Sequence, residues 1–179
     1  MAAGPQEGGD EKMKMTIHNF LTRDGLASIS TAVTRAERNT SGEIRVLVVQ
    51  KSRPHLSLRR FGSSLRGSLK TVRRAVKDRA MQEFVELGIG KTRGHTGVLI
   101  MISLDERMVV VCGDKPINDK VHEDSWGGAV SLITGGIRSN SPADGIIRAV
   151  ERVGMLLAAH FPIQPGDVNE LPNNVVLKE

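Results

Sequence analysis

Two carboxylates stand side by side at Asp105 and Glu106, in a short polar joint between two apolar runs. Carboxylate oxygens are the hard donors that Ca²⁺ and Mg²⁺ take, although Ca²⁺ needs six or more and two fall short. At the carboxyl end of a strand they would occupy the edge where ligands collect in α/β sheets. Asp24, entering the first long helix, is a third oxygen donor for the same edge. An alternative metal cluster is Asp119, His122 and Glu123, which would share one face of a helix. The bland readings stand beside both: acids suit turns, and acids at a helix start suit the helix dipole.

The second chemical signal is charge. Residues 51–79 carry ten Lys or Arg against Asp78 alone, a local charge of +9 that leaves −4 for the remainder of the chain. Arg59, Arg60, Arg66, Arg73 and Arg74 are candidates for binding phosphates of nucleic acid or anionic lipid headgroups. Aromatics are scarce, with four Phe, one Trp and no Tyr, so the platforms on which bases stack are lacking. A solvated arginine-rich helix face that pairs with the acidic remainder is therefore the favoured reading.

Other motifs are excluded by context. Gly90-Lys91-Thr92 is not a phosphate loop, because Val85 stands where the first glycine is required and the segment follows a helix and precedes a strand. There is no Gly-x-Ser-x-Gly elbow, and the five His are scattered. No nucleotide cofactor is expected. The single Cys112 allows no internal disulfide and no zinc cluster. No apolar run is long enough to span a membrane. The N-terminal residues lack the pattern of a secretory signal, so a cytoplasmic location is the default expectation.

The elements that must position these residues follow from periodicity. Residues 98–102 and 108–111 are short, β-branched runs joined by Leu-Asp-Glu-Arg, which predicts an antiparallel hairpin. Both runs are almost continuously apolar, so the hairpin should be buried on both faces, Ile100 and Val110 included. Residues 43–49 (EIRVLVV) form a further strand. A helical turn is expected within 15–21, and a helix over 25–39 with Asp24 as its cap. Helices are also predicted over 68–87 ending at Gly88, over 119–137, and over 142–160 with Pro142 at its first position. Residues 54–67 should be a long loop or broken helix. Residues 1–14 read as a disordered lead-in, 15–162 as one α/β domain, and 163–179 as an extended tail. The strand at 43–49 reaches the hairpin through a helix, so it should run parallel to it. The expected fold is a three-layer α/β/α sandwich around a small mixed β-sheet.

From Ser41-Gly42-Glu43-Ile44-Arg45-Val46 onward the chain resembles the TPM domain family, named partly for a thylakoid lumen protein and a photosystem II repair protein. The likeness runs through Phe84, Leu87-Gly88-Ile89, Lys91-Thr92, Gly97-Val98-Leu99-Ile100 and Asp105-Glu106-Arg107. It continues at Ile117, Trp126, Gly145-Ile146 and Phe161-Pro162, and so covers about residues 15–162. The resemblance implies a three-layer α/β/α fold and a weak, metal-associated acid phosphatase activity, reported for the plant branch. Family members with signal peptides and glycine-rich tails work at membranes; this chain is similar to the short soluble members. The combined expectation is a soluble TPM-type domain with a divalent-cation-binding acidic edge, acting as an accessory or interaction module. A phosphatase and a polyanion binder acting through residues 51–79 are the alternatives.

Overall fold

The computed structural model describes residues 15–52 and 65–179; the side chains of residues 65–68 and of Glu123 are outside that description. The expected disordered lead-in, most of the expected 54–67 loop, and Arg59 and Arg60 lie outside the described residues.

A mixed sheet organises the chain. Strands β1 (Glu43–Val49), β2 (Gly97–Ser103), β3 (Met108–Gly113) and β4 (Val176–Lys178) lie in the order β3-β2-β1-β4. β1 is parallel to β2, with Glu43 opposite Gly97 and Val49 opposite Ser103, and also parallel to β4. β2 and β3 form the expected antiparallel hairpin, Ile100 facing Val111.

β1 and β2 are buried on both faces, as the continuous apolar runs 46–49 and 98–102 require, and Glu43 and Arg45 of β1 are buried with them. Ile44, Val46, Val48, Val98, Ile100 and Ile102 face one core. That core is closed by α2 (Arg23–Glu37), α5 (Gly127–Arg138) and α6 (Pro142–His160). The alternate residues Leu47, Val49, Leu99 and Met101 face Val76, Ala80 and Phe84 of α3 (Leu65–Glu86). Helices therefore cover both faces, giving the α/β/α sandwich.

Several local expectations are corrected. β3 is an edge strand, so all its residues, Val110 included, are only partly buried. The cap of α2 is Thr22, whose Oγ1 accepts the Gly25 N–H at 3.0 Å. Asp24 instead occupies the first turn and is exposed, where its charge still suits the helix dipole. α3 begins three residues earlier than predicted, and ends as expected at Gly88, whose φ of 69° needs a glycine. The single helix predicted over 119–137 is broken. A short helix, α4 (Lys115–Lys120), is capped by Asp114; Val121 turns extended and buries, and a 3-10 turn follows over Glu123–Trp126 before α5. Burial of Val121 and Trp126, at 3% exposure each, outweighs the continuous helix that local propensity favours. A short α1 (Ile17–Phe20) matches the expected helical turn.

The C-terminal residues do more than lie on the surface. They end in β4, which covers the open edge of β1. Leu171 is buried against the α3 core, and Lys178 Nζ bonds Glu83, a carboxylate of α3 with no exposure. The hydrogen bonds to Glu83 and Glu86 hold the Lys178 amine above its ordinary range, despite the opposing effect of burial.

Candidate functional site

The chain places Asp105 and Glu106 where the sequence predicts, beyond the carboxyl ends of the parallel pair β1 and β2. The turn closes with the Arg107 N–H donating to Leu104 O at 3.1 Å, and Arg107 takes a left-handed φ of 52°. The end of β1 runs alongside: Leu104 N–H and Asp105 N–H donate to Val49 O and Gln50 O at 3.0 and 2.9 Å.

Each carboxylate is held by groups from the neighbouring strand end. Both Glu106 oxygens accept the Ser52 N–H, at 3.2 and 3.1 Å, and Oε2 also accepts the Ser103 hydroxyl. Ser103, fully buried, shares a 2.7 Å hydrogen bond with the buried Ser52 hydroxyl. Asp105 Oδ1 accepts from Gln50 Nε2 at 2.6 Å, while Gln50 Oε1 accepts the Ile17 N–H at 3.0 Å. The edge thus carries two adjacent hydrogen-bonded groups, Asp105 with Gln50, and Glu106 with the Ser52 and Ser103 hydroxyls. Ser52, Ser103 and Gln50 were not singled out in the sequence, because they come from the ends of two strands and meet only in the sheet.

The remaining candidates are not gathered in this way. Among the described residues no three His, Cys, Asp or Glu side chains converge as a metal-holding group, so Asp24 does not complete a triad with Asp105 and Glu106. Asp119 pairs with Lys115 at 2.9 Å on α4, and His122 lies beyond the end of that helix as the cap of the 3-10 turn. The expected single helical face for Asp119, His122 and Glu123 is therefore absent. Thr92 is buried, its Oγ1 accepting the Thr96 N–H at 3.1 Å, so Gly90-Lys91-Thr92 is a structural turn. Burial pushes the Cys112 thiol up to about 11, which keeps it protonated and poorly nucleophilic. Of the arginines, Arg73 and Arg74 are exposed on α3; Arg66 lies on the same helix.

A second polar region opens at the opposite edge, between the end of α2, the start of β1 and residues 163–173. It is a cavity of about 340 Å³ lined by Glu37, Glu43, Asp167 and Asn173 among others. Glu43 accepts the Glu170 and Leu171 N–H groups, while Glu37 Oε1 accepts the Ile44 N–H at 2.8 Å. Glu37 Oε2, Asp167 Oδ2 and Asn173 Oδ1 are buried there, and the Asn173 side chain meets the Glu37 carboxyl, an interaction that acts to lower its pKa. Burial pushes the Glu37 carboxyl up to about 8, with the nearby Glu43 charge adding to the rise, so at neutral pH it is mostly protonated. Burial raises Glu43 as well, and lowers the neighbouring Arg45 guanidinium. The sequence carried no sign of this cavity, since one wall is the C-terminal segment.

Among the described residues, no helix is long and apolar enough to cross a membrane. Comparison with known proteins places the chain. The TPM domain family model matches residues 16–156. The solution structure of BA42 protein from the psychrophilic bacterium Bizionia argentinensis is 33% identical, with 90% of this chain and 98% of that chain covered and a TM-score of 0.72. The N-terminal domain of a protein from P. gingivalis, 17% identical, shares the fold at a TM-score of 0.50, over 82% of this chain and 84% of that one. No curated protein matches the sequence. With the motifs from Ser41 to Phe161 in order on this fold, the chain belongs to the TPM domain family.

Proposed function

We propose that this TPM domain is an accessory or interaction module that binds a divalent cation, Ca²⁺ or Mg²⁺, at the Asp105–Glu106 edge. The observation that supports it is the pair of adjacent carboxylates in one turn beyond the carboxyl ends of β1 and β2, with the Ser103 and Ser52 hydroxyls chained to Glu106. Mg²⁺ keeps several of its waters and needs only one or two carboxylates, so this donor set suits it without a dedicated all-protein cage. The fit to Ca²⁺ requires water or further oxygens to complete the shell. Calorimetric titration of the full chain with each ion tests the reading, together with amide chemical shifts around Asp105. Heat and shifts that vanish in Asp105→Ala support it; no heat with either ion overturns it.

The second reading is a weak metal-assisted phosphatase. It is favoured by the hydroxyl-to-carboxylate chain from Ser52 through Ser103 to Glu106, an arrangement in which a carboxylate accepts from a hydroxyl. Hydrolysis of an aryl phosphate with and without metal decides it. Turnover that survives both Asp105→Ala and Glu106→Ala removes these residues from any such chemistry.

A further inference from the structure

The outward face of α3 combines charge with exposed apolar side chains. Lys70, Arg74, Met81 and Val85 recur at spacings of four and seven residues, which puts them on one side of the helix, while Arg73 is exposed at its flank, toward the side of Ala80. All five are exposed, Met81 at 55% and Val85 at 70%. The opposite side, Val76, Ala80 and Phe84, is packed on the sheet, so the outward face is presented by a helix already fixed in place. The acids of α3 do little to neutralise it. Glu83 is fully buried with Arg79 and Lys178, and Glu86 is engaged by Lys178. Asp78 meets Arg74 only at 3.9 Å, between two well-exposed side chains, a pairing of little strength.

We infer that this face docks on an anionic membrane surface. Basic side chains gain from the negative potential of acidic headgroups, and apolar side chains on the same face enter the boundary between headgroups and acyl chains. A nucleic-acid backbone would use Lys70, Arg73 and Arg74 but offers nothing to Met81 and Val85. Two such small apolar side chains with a few charges give weak, reversible binding that salt suppresses. Because the helix is folded beforehand, binding carries no cost of ordering it. This inference is independent of the cation-binding edge, which lies at the strand ends.

The experiment is co-sedimentation of the full chain with two kinds of large vesicle: phosphatidylcholine alone, and the same lipid with about 30% phosphatidylserine, which supplies the negative surface potential. Binding to duplex DNA is measured in parallel. The expected result is partitioning onto the phosphatidylserine vesicles at low salt, lost as salt rises. Lys70→Glu/Arg73→Glu/Arg74→Glu should lower that partitioning by about a hundredfold or more, from the contribution of each basic residue near an acidic surface. Met81→Ser/Val85→Ser should lower it severalfold with charge unchanged. Unchanged melting temperatures check that these surface variants stay folded. No partitioning of the unaltered chain at low salt overturns the inference, as does partitioning indifferent to the charge reversal. Binding to DNA that ignores the serine pair, with vesicle binding absent, assigns the face to nucleic acid instead.

Discussion

The Glu43 carboxylate accepts the backbone N–H of Leu171 at 3.1 Å, and with its other oxygen the N–H of Glu170 at 3.0 Å. A residue that opens the central strand thereby fixes a segment almost at the end of the chain. Glu43 is 5% exposed, so the bonds it makes are shielded from water. Downstream of this anchor, β4 pairs with β1, and Gln50 N–H donates to Lys178 O at 2.9 Å.

Glu43→Ala should therefore loosen the C-terminal segment before the rest of the domain. Leaving buried N–H groups without an acceptor costs about 1–3 kcal/mol. Hydrogen exchange is the direct measurement: amides of residues 170–178 should exchange faster while those of β2 stay protected. Unchanged exchange there would show that β4 and Lys178 hold the segment without Glu43.

Stability should fall as pH rises from about 4.5 to about 8. The Glu37 carboxyl, ordinarily near 4.5, is pushed up to about 8 by burial. Below the lower value both folded and unfolded chains hold the proton. Between the two, the folded chain holds a proton that the unfolded chain has released, so each step up in pH favours unfolding. Glu43, raised by burial, acts with the same sign. The lowered Glu86 and raised Lys178 act elsewhere: Glu86 contributes above its ordinary 4.5 and loses that only in acid, while Lys178 contributes below its ordinary 10.5 and loses that only in alkali. Glu37→Gln keeps an oxygen for the Ile44 N–H and should flatten the slope, read from urea midpoints across the window. A slope unchanged by the substitution would place the proton on another group.

The parts of this fold that were legible in the sequence are those written in local pattern. β1 over Glu43–Val49 and α6 over Pro142–His160 agree with expectation because a short strand rich in Ile and Val and a proline at the first helical position are local signals. The Asp105–Glu106 turn was legible for the same reason. The break after Lys120 was not, because Val121 leaves the helix to reach a core assembled from distant residues. β4 was missed because three residues carry little pattern and their partner strand lies far back in the chain. Glu83 has no local signal of burial, yet it is fully buried, its carboxylate paired with Arg79 and with Lys178 from the far end of the chain.

The two strands of the hairpin should differ in their tolerance of truncation. Ile100 on β2 has no exposure and packs among α2, α5 and α6, so Ile100→Ala should cost about 2–5 kcal/mol. Val110, on the edge strand and partly buried, should cost distinctly less. Denaturant midpoints at constant slope measure both. A cost below about 1 kcal/mol at Ile100 would mean that β2 is not central to the fold.

Two adjacent glycines of α5 should respond to alanine with opposite signs. Gly135 is exposed, and a Cβ built there meets nothing within 4 Å. Alanine loses less backbone freedom than glycine on folding, so Gly135→Ala should stabilise by about 0.4–1 kcal/mol. Gly136 is buried at the crossing with α6, where an added Cβ would stand 2.7 Å from Gly145 Cα and 2.8 Å from Ser141 O. Those neighbours are backbone atoms and cannot rotate away, so the helices must separate. Overpacking of this kind costs about 1–3 kcal/mol, more than the entropy that alanine returns. Gly136→Ala should therefore destabilise, and Gly145→Ala likewise, since its Cβ would stand 2.7 Å from Leu132 O. Thermal melts of the three variants decide the matter. A stabilising Gly136→Ala would mean that α5 and α6 do not approach as closely in solution as their glycines allow.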